Sequence, residues 1–408
     1  MMPHVSFGGL VVVAAVAFAV PLLVASGPAR RLPAAVLLIV SGIVLGPSGL
    51  GLVTLDLPIQ ILALIGLAFL LFLAGLEVDV HRMRGRRLRI AVVGFSLSFA
   101  LAVAVGAGLA AVGLIDAPLL VAVILVGTSL GVVIPVLKDA AEIDGEFGQL
   151  VVASASVADV AAIVLLSVLF TRDGNPAAAA LLFVLFAILA IALVAAILRA
   201  ERTGILAPTL RRLQDTTAQI RVRAAWLLLV GIAAVAEGLG LEVILGAFVA
   251  GAILTIVDTD TARSHPLFRP KLEAIGFGVF VPVFFIATGL RFDLGALLGG
   301  PEALALVPIF LAALLAVRGV PAIVLGRTAG PRRLAAAGLL QATLLPIAPA
   351  QIGLELGLLD AATAAALISA GLIAVVVFPS TALLLLGRSP ADDTSTTIPP
   401  QHMEHARS

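Results

Sequence analysis

The segment VGTSLGVVIPVLK (126–138), followed shortly by LVVASASVADVAAIVLLSVLF (150–170), decides how this chain is read. The first segment is apolar enough for a membrane span, yet Thr128, Ser129, Gly131 and Pro135 interrupt it within eight residues. Proline lacks the N–H that a helix interior needs and clashes with the preceding turn, while glycine tolerates irregular backbone. The second segment is a continuous apolar run carrying one carboxylate, Asp159, near its centre. A charge at mid-membrane depth costs on the order of 3 kcal/mol by insertion scales, so it marks function by default.

The rest of the chain places both segments in a bilayer. Hydrophobic residues make up 61% of the 408 residues and charged residues 12%, against roughly a quarter charged in soluble proteins. Net charge is +1, so nothing points to nucleic acid as a partner. Cysteine is absent, which excludes disulfides, thiolate metal sites and cysteine nucleophiles. The histidines (His4, His81, His265, His402 and His405) fall at chain ends or in polar connections, away from any buried metal site.

A span needs roughly 20 apolar residues. On that basis thirteen candidates lie near 8–26, 34–50, 59–77, 90–113, 118–138, 148–170, 179–198, 222–240, 242–257, 273–290, 303–325, 333–356 and 361–387. The first has no Lys or Arg before it and no clear cleavage site, so it reads as a helix and not as a leader. With the N-terminus outside, 22 of the 25 Lys+Arg fall on cytoplasmic connections, leaving Arg172 and Arg291 on the other face. That asymmetry is the positive-inside pattern and implies an odd number of spans, with the C-terminus inside. The remaining basic residue, Arg318, lies within a span.

LFLAGLEVDV (71–80) resembles FFIATGLRFDL (284–294), with Gly75-Leu76 on Gly289-Leu290 and Asp79 on Asp293. SGIVLG (41–46) resembles GAFVAGAIL (246–254). The implied layout is a first six-helix repeat over 1–170, a linker helix and loop over 171–221, a second repeat over 222–387 and a disordered tail over 388–408. One odd helix between the halves inverts the second copy, the plan of many secondary transporters. The second repeat has its own interrupted span, LLQATLLPIAPAQIGLEL, with Gln341, Thr343, Pro346, Pro349 and Gln351. In such folds unwound backbone and half-helix ends build the ion site.

Asp159, the hydroxyls of Ser156, Thr128 and Ser129, and unwound carbonyls would form an all-oxygen site suited to a hard monovalent cation. Burial disfavours the charged carboxylate, so a proton competes with the cation for one group. Arg318 stays charged at physiological pH and cannot carry the exchanged proton. Its expected role is electrostatic, bracing the broken helices or offsetting Asp159.

At these residues the chain resembles the monovalent cation:proton antiporter-2 family, the Kef-type sodium or potassium/proton exchangers. The matching segments are GIVLGPSGLGL (42–52), LFLAGLEVD (71–79), TSLGVVIPVLK (128–138), LGAFVAGAIL (245–254) and PVFFIATGLRFDL (282–294). The resemblance implies an all-helical fold with two crossing broken helices, a mobile core against a dimerisation domain, and a homodimer moving elevator-fashion in the cell membrane. It implies no cofactor beyond the transported Na+ or K+ and H+. By position Asp159 matches the family's ion-binding aspartate, Thr128/Ser129 its first unwound segment and Arg318 its basic residue.

Three departures stand out. Ala158 replaces the Asp, Asn or Gln usual before that aspartate, and a single carboxylate favours electroneutral one-for-one exchange. Ala342-Thr343-Leu344 replaces the Arg-Gly-Glu common in the second broken helix. The tail RSPADDTSTTIPPQHMEHARS is too short to form the nucleotide-binding domain that Kef-type proteins often append. A Na+-coupled organic-anion symporter is the alternative, but few polar residues could line its cavity. No HExxH, GxSxG or paired intramembrane aspartates point to an enzyme.

Overall fold

The computed structural model describes residues 7–26, 33–77, 85–170, 176–202, 219–260, 268–325, 330–344 and 346–387. Among these every regular element is helical. The helices in chain order are α1 (Phe7–Ser26), α2 (Ala34–Leu45), α3 (Leu57–Leu76), α4 (Gly85–Ala111), α5 (Pro118–Leu125), α6 (Leu130–Asp139), α7 (Glu146–Leu169), α8 (Pro176–Arg202) and α9 (Ile220–Gly238). They continue with α10 (Val243–Asp260), α11 (Phe268–Ile275), α12 (Val281–Arg291), α13 (Leu294–Leu298), α14 (Pro301–Leu314), α15 (Pro331–Gln341), α16 (Ile347–Glu355) and α17 (Ala361–Leu386). Short π-helical segments, Gly276–Phe280 and Leu315–Gly319, join α11 to α12 and extend α14.

Local chemistry sets the ends. Asp56 accepts a hydrogen bond from the Ile59 N–H at 3.2 Å, and Asp360 accepts from the Thr363 N–H at 2.8 Å, capping α3 and α17. In the first interrupted span the break falls at 126–129, ahead of Pro135, which lies inside α6. In the second, Pro346 precedes α16 and Pro349 lies in its first turn, where a missing N–H leaves no bond unmade.

Nine described helical spans are long and apolar enough to cross a membrane, and Ala34–Leu45 and Val243–Val257 are shorter apolar helices. The expected thirteen exceeds that count by four: these two helices are short, and two further spans fall out for other physical reasons. α9 carries Arg221, Arg223 and Glu237 towards its ends, and the second interrupted span splits into two pieces of 11 and 9 residues. The expected N- and C-terminal segments (1–6 and 388–408), most of the loop after α8 and all five histidines lie outside the described residues.

The helices sort into two bundles. One buries α1, α2, α3 and α12 around Val13, Leu38, Ile59 and Ile286, continuing through α3 to α9 and α10 around Phe72, Leu229 and Leu245. The other gathers α4 to α7 and α14 to α17 around Leu120, Leu125, Phe310, Leu340 and Ala366. A small apolar cluster, Ile39, Phe284 and Ile347, lies between them. A side-chain hydrogen bond also spans the bundles there, from Gln351 Nε2 on α16 to Thr288 Oγ1 on α12 at 3.3 Å.

Within the first bundle, α2 crosses α12 and α3 crosses α10 at paired glycines. A Cβ on Gly42 would lie 2.2 Å from the Ile286 carbonyl oxygen and 2.9 Å from Gly289 Cα. A Cβ on Gly251 would lie 2.0 Å from the Phe72 oxygen and 3.0 Å from Gly75 Cα. Gly75 and Gly289, the matched residues of the sequence repeat, thus each meet the other half's glycine. Close backbone approach replaces the hydrophobic effect, which gives helices no drive to associate in lipid.

Because backbone oxygen cannot rotate away, Gly42→Ala and Gly251→Ala should each destabilise the detergent-solubilised protein by about 2 kcal/mol. Gly94 is the control: a methyl group added there would meet nothing within 4 Å, and Gly94→Ala should leave the unfolding temperature unchanged. Thermal unfolding of the three variants checks this.

Candidate ion site

The two interrupted spans meet at their breaks. α5 ends at Leu125, and α6 begins at Leu130 after an extended Ser129 (φ −88°, ψ 94°). α15 ends at Gln341, and residues 342–344 and 346 lie outside any helix before α16 begins at Ile347. The Ser129 N–H donates to the Thr343 carbonyl at 2.8 Å, and the Thr128 hydroxyl donates to the Gln341 carbonyl at 2.9 Å. Each break thereby satisfies backbone groups of the other, which hydrocarbon would leave unpaired at a cost of several kcal/mol apiece.

Asp159 faces this crossing from α7. It is partly exposed, and its two oxygens accept separately: Oδ1 from the Thr128 N–H and Oδ2 from the Leu130 N–H, both at 3.3 Å. Leu130 opens α6, and the Ser129 side chain makes no capping bond, so the Asp159 carboxylate does the work of a cap. Free N–H groups and the helix dipole favour negative charge at that end. A carboxylate has about four acceptor directions, so two remain for another ligand.

Arg318, only 3% exposed, reaches the same crossing from the π-helical segment 315–319. Such segments often occur at functional sites. Its Nε donates to Thr128 Oγ1 at 3.1 Å and to the Gln341 carbonyl at 3.4 Å, and its Nη1 donates to Ser98 Oγ on α4 at 3.2 Å. Its Nη2 donates to Thr128 Oγ1 at 2.8 Å and to Gln341 Oε1. Gln341 Nε2 in turn donates to the Val151 carbonyl on α7 at 3.0 Å.

Most of the residues singled out in the sequence therefore converge. Asp159, Thr128, Ser129, Gln341 and Thr343 all lie at the crossing, and Pro346 ends the second break. Thr343, fully buried, turns its hydroxyl back onto the Leu339 carbonyl at 2.9 Å, so its backbone carbonyl is what it offers the first break. Ser156 is buried on α7 and makes no hydrogen bond to Asp159 among the described residues. Of the two roles expected for Arg318, its hydrogen bonds to Thr128 and Gln341 fit bracing the broken helices, and Thr128 stands between it and Asp159. Ser98, the Val151 carbonyl and Thr288 were not anticipated; a buried serine in the middle of apolar α4 was the available signal for the first. No group of three or more His, Cys, Asp or Glu suited to a resident metal occurs among the described residues.

The Thr128 hydroxyl both accepts from Arg318 and donates to Gln341. Thr128→Val should leave buried donors unpaired and lower stability by about 1–3 kcal/mol, whereas Thr128→Ser should retain most of it. Thermal unfolding in detergent distinguishes the two variants.

The profile of the transmembrane sodium/hydrogen exchanger family matches residues 14–386. A Bacillus subtilis (strain 168) protein provisionally named Na(+)/H(+) antiporter YjbQ is 31% identical over 415 aligned residues, covering 97% of this chain. A Methanocaldococcus jannaschii protein, also provisionally named as Na(+)/H(+) antiporter 3, is 27% identical over 265 residues, 64% of this chain. The chain spans 66% of the Bacillus relative's length. Among solved structures, the sodium proton antiporter MjNhaP1 from Methanocaldococcus jannaschii at pH 8 superposes with a TM-score of 0.66 at 18% identity, covering 93% of this chain and 99% of that one. At that identity the likeness is one of fold.

Proposed function

This chain belongs to the transmembrane sodium/hydrogen exchanger family, and from that premise we propose that it is a multi-pass secondary transporter exchanging Na+ or K+ for H+ by alternating access. The observation that carries the reading is the partly exposed Asp159 carboxylate, held by two backbone N–H groups where two broken helices cross. The relatives compared carry antiporter names, not the symporter name of the alternative.

In this reading Asp159 binds the cation or the proton, never both. The Thr128 and Ser129 segment contributes oxygen around it, while Gln341, Thr343 and Pro346 shape the second break. With Ala158 beside it, Asp159 is the one carboxylate of the pair of positions. The loaded site then carries the same charge with Na+ or with H+, so exchange is one-for-one and electroneutral. The bundle of α4–α7 and α14–α17 moves against that of α1–α3 and α9–α12. The protein works as a homodimer in the cell membrane, N-terminus outside, with repeats over 1–170 and 222–387.

Two experiments test this. In everted vesicles, Na+, K+ or Li+ should each be tried as the driver of proton flux; Asp159→Asn should abolish the response to whichever ion works. Full exchange in that variant would overturn the assignment. The chain's lack of cysteine allows the second. A short bifunctional thiol reagent joining Thr288→Cys and Gln351→Cys should arrest exchange, with activity restored on reduction and unaffected in either single variant. Continued exchange after complete cross-linking would show that the bundles need not separate there.

A further inference from the structure

Arg318 is a buried cation whose hydrogen-bond partners among the described residues are all neutral: Ser98, Thr128 and Gln341. We infer that Gln341 is a positioning residue of the exchange site, fastening the Arg318 guanidinium to α7 without neutralising it, so that its charge opposes the cation held at Asp159. This rests on the exchange reading above.

The case begins with the two ends of one side chain. Gln341 Oε1 accepts from Arg318 Nη2, while Gln341 Nε2 donates to the Val151 carbonyl on the helix that carries Asp159. A primary amide accepts at one end and donates at the other without carrying charge. Glutamate would form an ion pair with Arg318 and turn an oxygen towards the Val151 carbonyl. Methionine would make neither bond. The residue is 2% exposed, so water cannot substitute easily for either partner.

The second part is the route to Asp159. Thr128 accepts from Arg318 at its hydroxyl and donates to Asp159 from its backbone N–H. Among the described residues, the charged groups acting on Asp159 are Arg318 and, at the end of α3, Glu77. Asp159 is likewise the charged group acting on Arg318. With a neutral residue at 341, the guanidinium's field is left to act across Thr128. It favours the empty carboxylate over the cation-loaded one, which limits affinity and speeds release. Pairing Arg318 with a nearby anion would cancel that field.

The test measures cation-driven proton flux in everted vesicles at alkaline pH, where proton competition is weakest, with Asp159→Asn as the background. Gln341→Glu should lower the cation KM at least tenfold, the size of one charge acting across about 12 Å or less at an effective dielectric of about 20, and should slow maximal turnover. Gln341→Met, losing the bridge without adding charge, should reduce turnover and thermal stability with KM within about twofold of wild type. A merely structural residue would make the two variants alike, and equal KM values for Gln341→Glu and Gln341→Met overturn the inference. If Gln341→Glu does not assemble, Arg318→Gln removes the same charge and must lower KM; an unchanged or raised KM overturns it equally. Wild type without cation-driven flux would instead remove the exchange reading, and this role with it.

Discussion

An interrupted helix at membrane depth exposes N–H and C=O groups that lipid cannot satisfy. Here the two interruptions exist because they face each other. The Ser129 N–H meets the Thr343 carbonyl, the Thr128 hydroxyl meets the Gln341 carbonyl, and Asp159 takes the N–H groups of Thr128 and Leu130. Removing either break would strand the other, so they form one unit. Arg318 completes it by donating to both breaks at once, through Thr128 Oγ1 and Gln341. Its position in a π-helical segment, where the ladder is already loosened, lets one side chain serve both.

The first bundle solves the opposite problem, holding helices rigidly together where no hydrophobic drive exists. Its crossings are as close as backbone permits: Gly42 on Gly289 and Gly251 on Gly75. Such contacts admit no sliding, since any side chain atom would meet a carbonyl oxygen. The boundary between the bundles is different in kind. Ile39, Phe284 and Ile347 meet there, and Gln351 donates to Thr288 at 3.3 Å. Smooth apolar surfaces can exchange neighbours at little cost, because side-chain packing in lipid is replaced by similar packing after a shift. Rigid crossings inside one bundle and a soft boundary beside it suit rigid-body movement.

Much of this was legible in the sequence, for reasons of scarcity. Charges are so few that Asp159 and Arg318 stood out by depth alone, and glycine, proline and hydroxyl clusters exposed both breaks. Thirteen apolar segments were also legible, but a count of crossings was not. Short α2, charged α9 and the divided α15–α16 pair depend on packing and not on hydropathy. The residue types alone did not separate Thr128 and Ser129 from Pro135 as the point of unwinding, and Pro135 is accommodated inside α6; the resemblance placed the break at Thr128/Ser129, where it falls. Arg318 is more instructive. A lone acid and a lone base at one depth suggest an ion pair, yet the acid found backbone N–H groups nearby in the fold and the base found Ser98, Thr128 and Gln341, 220, 190 and 23 residues away in sequence. Partner choice over such separations is set by tertiary geometry, which periodicity does not encode.

Keeping the two charges apart has a chemical consequence. A direct Arg–Asp pair would saturate the carboxylate with guanidinium N–H groups, and a monovalent cation would have to displace them. With backbone N–H donors instead, at 3.3 Å and on separate oxygens, the carboxylate is stabilised but not enclosed. The guanidinium remains near enough to influence it and too well tethered to compete with it. In the proposed exchange cycle that division lets one residue hold the ligand while another, charged at every working pH, sets how tightly it is held.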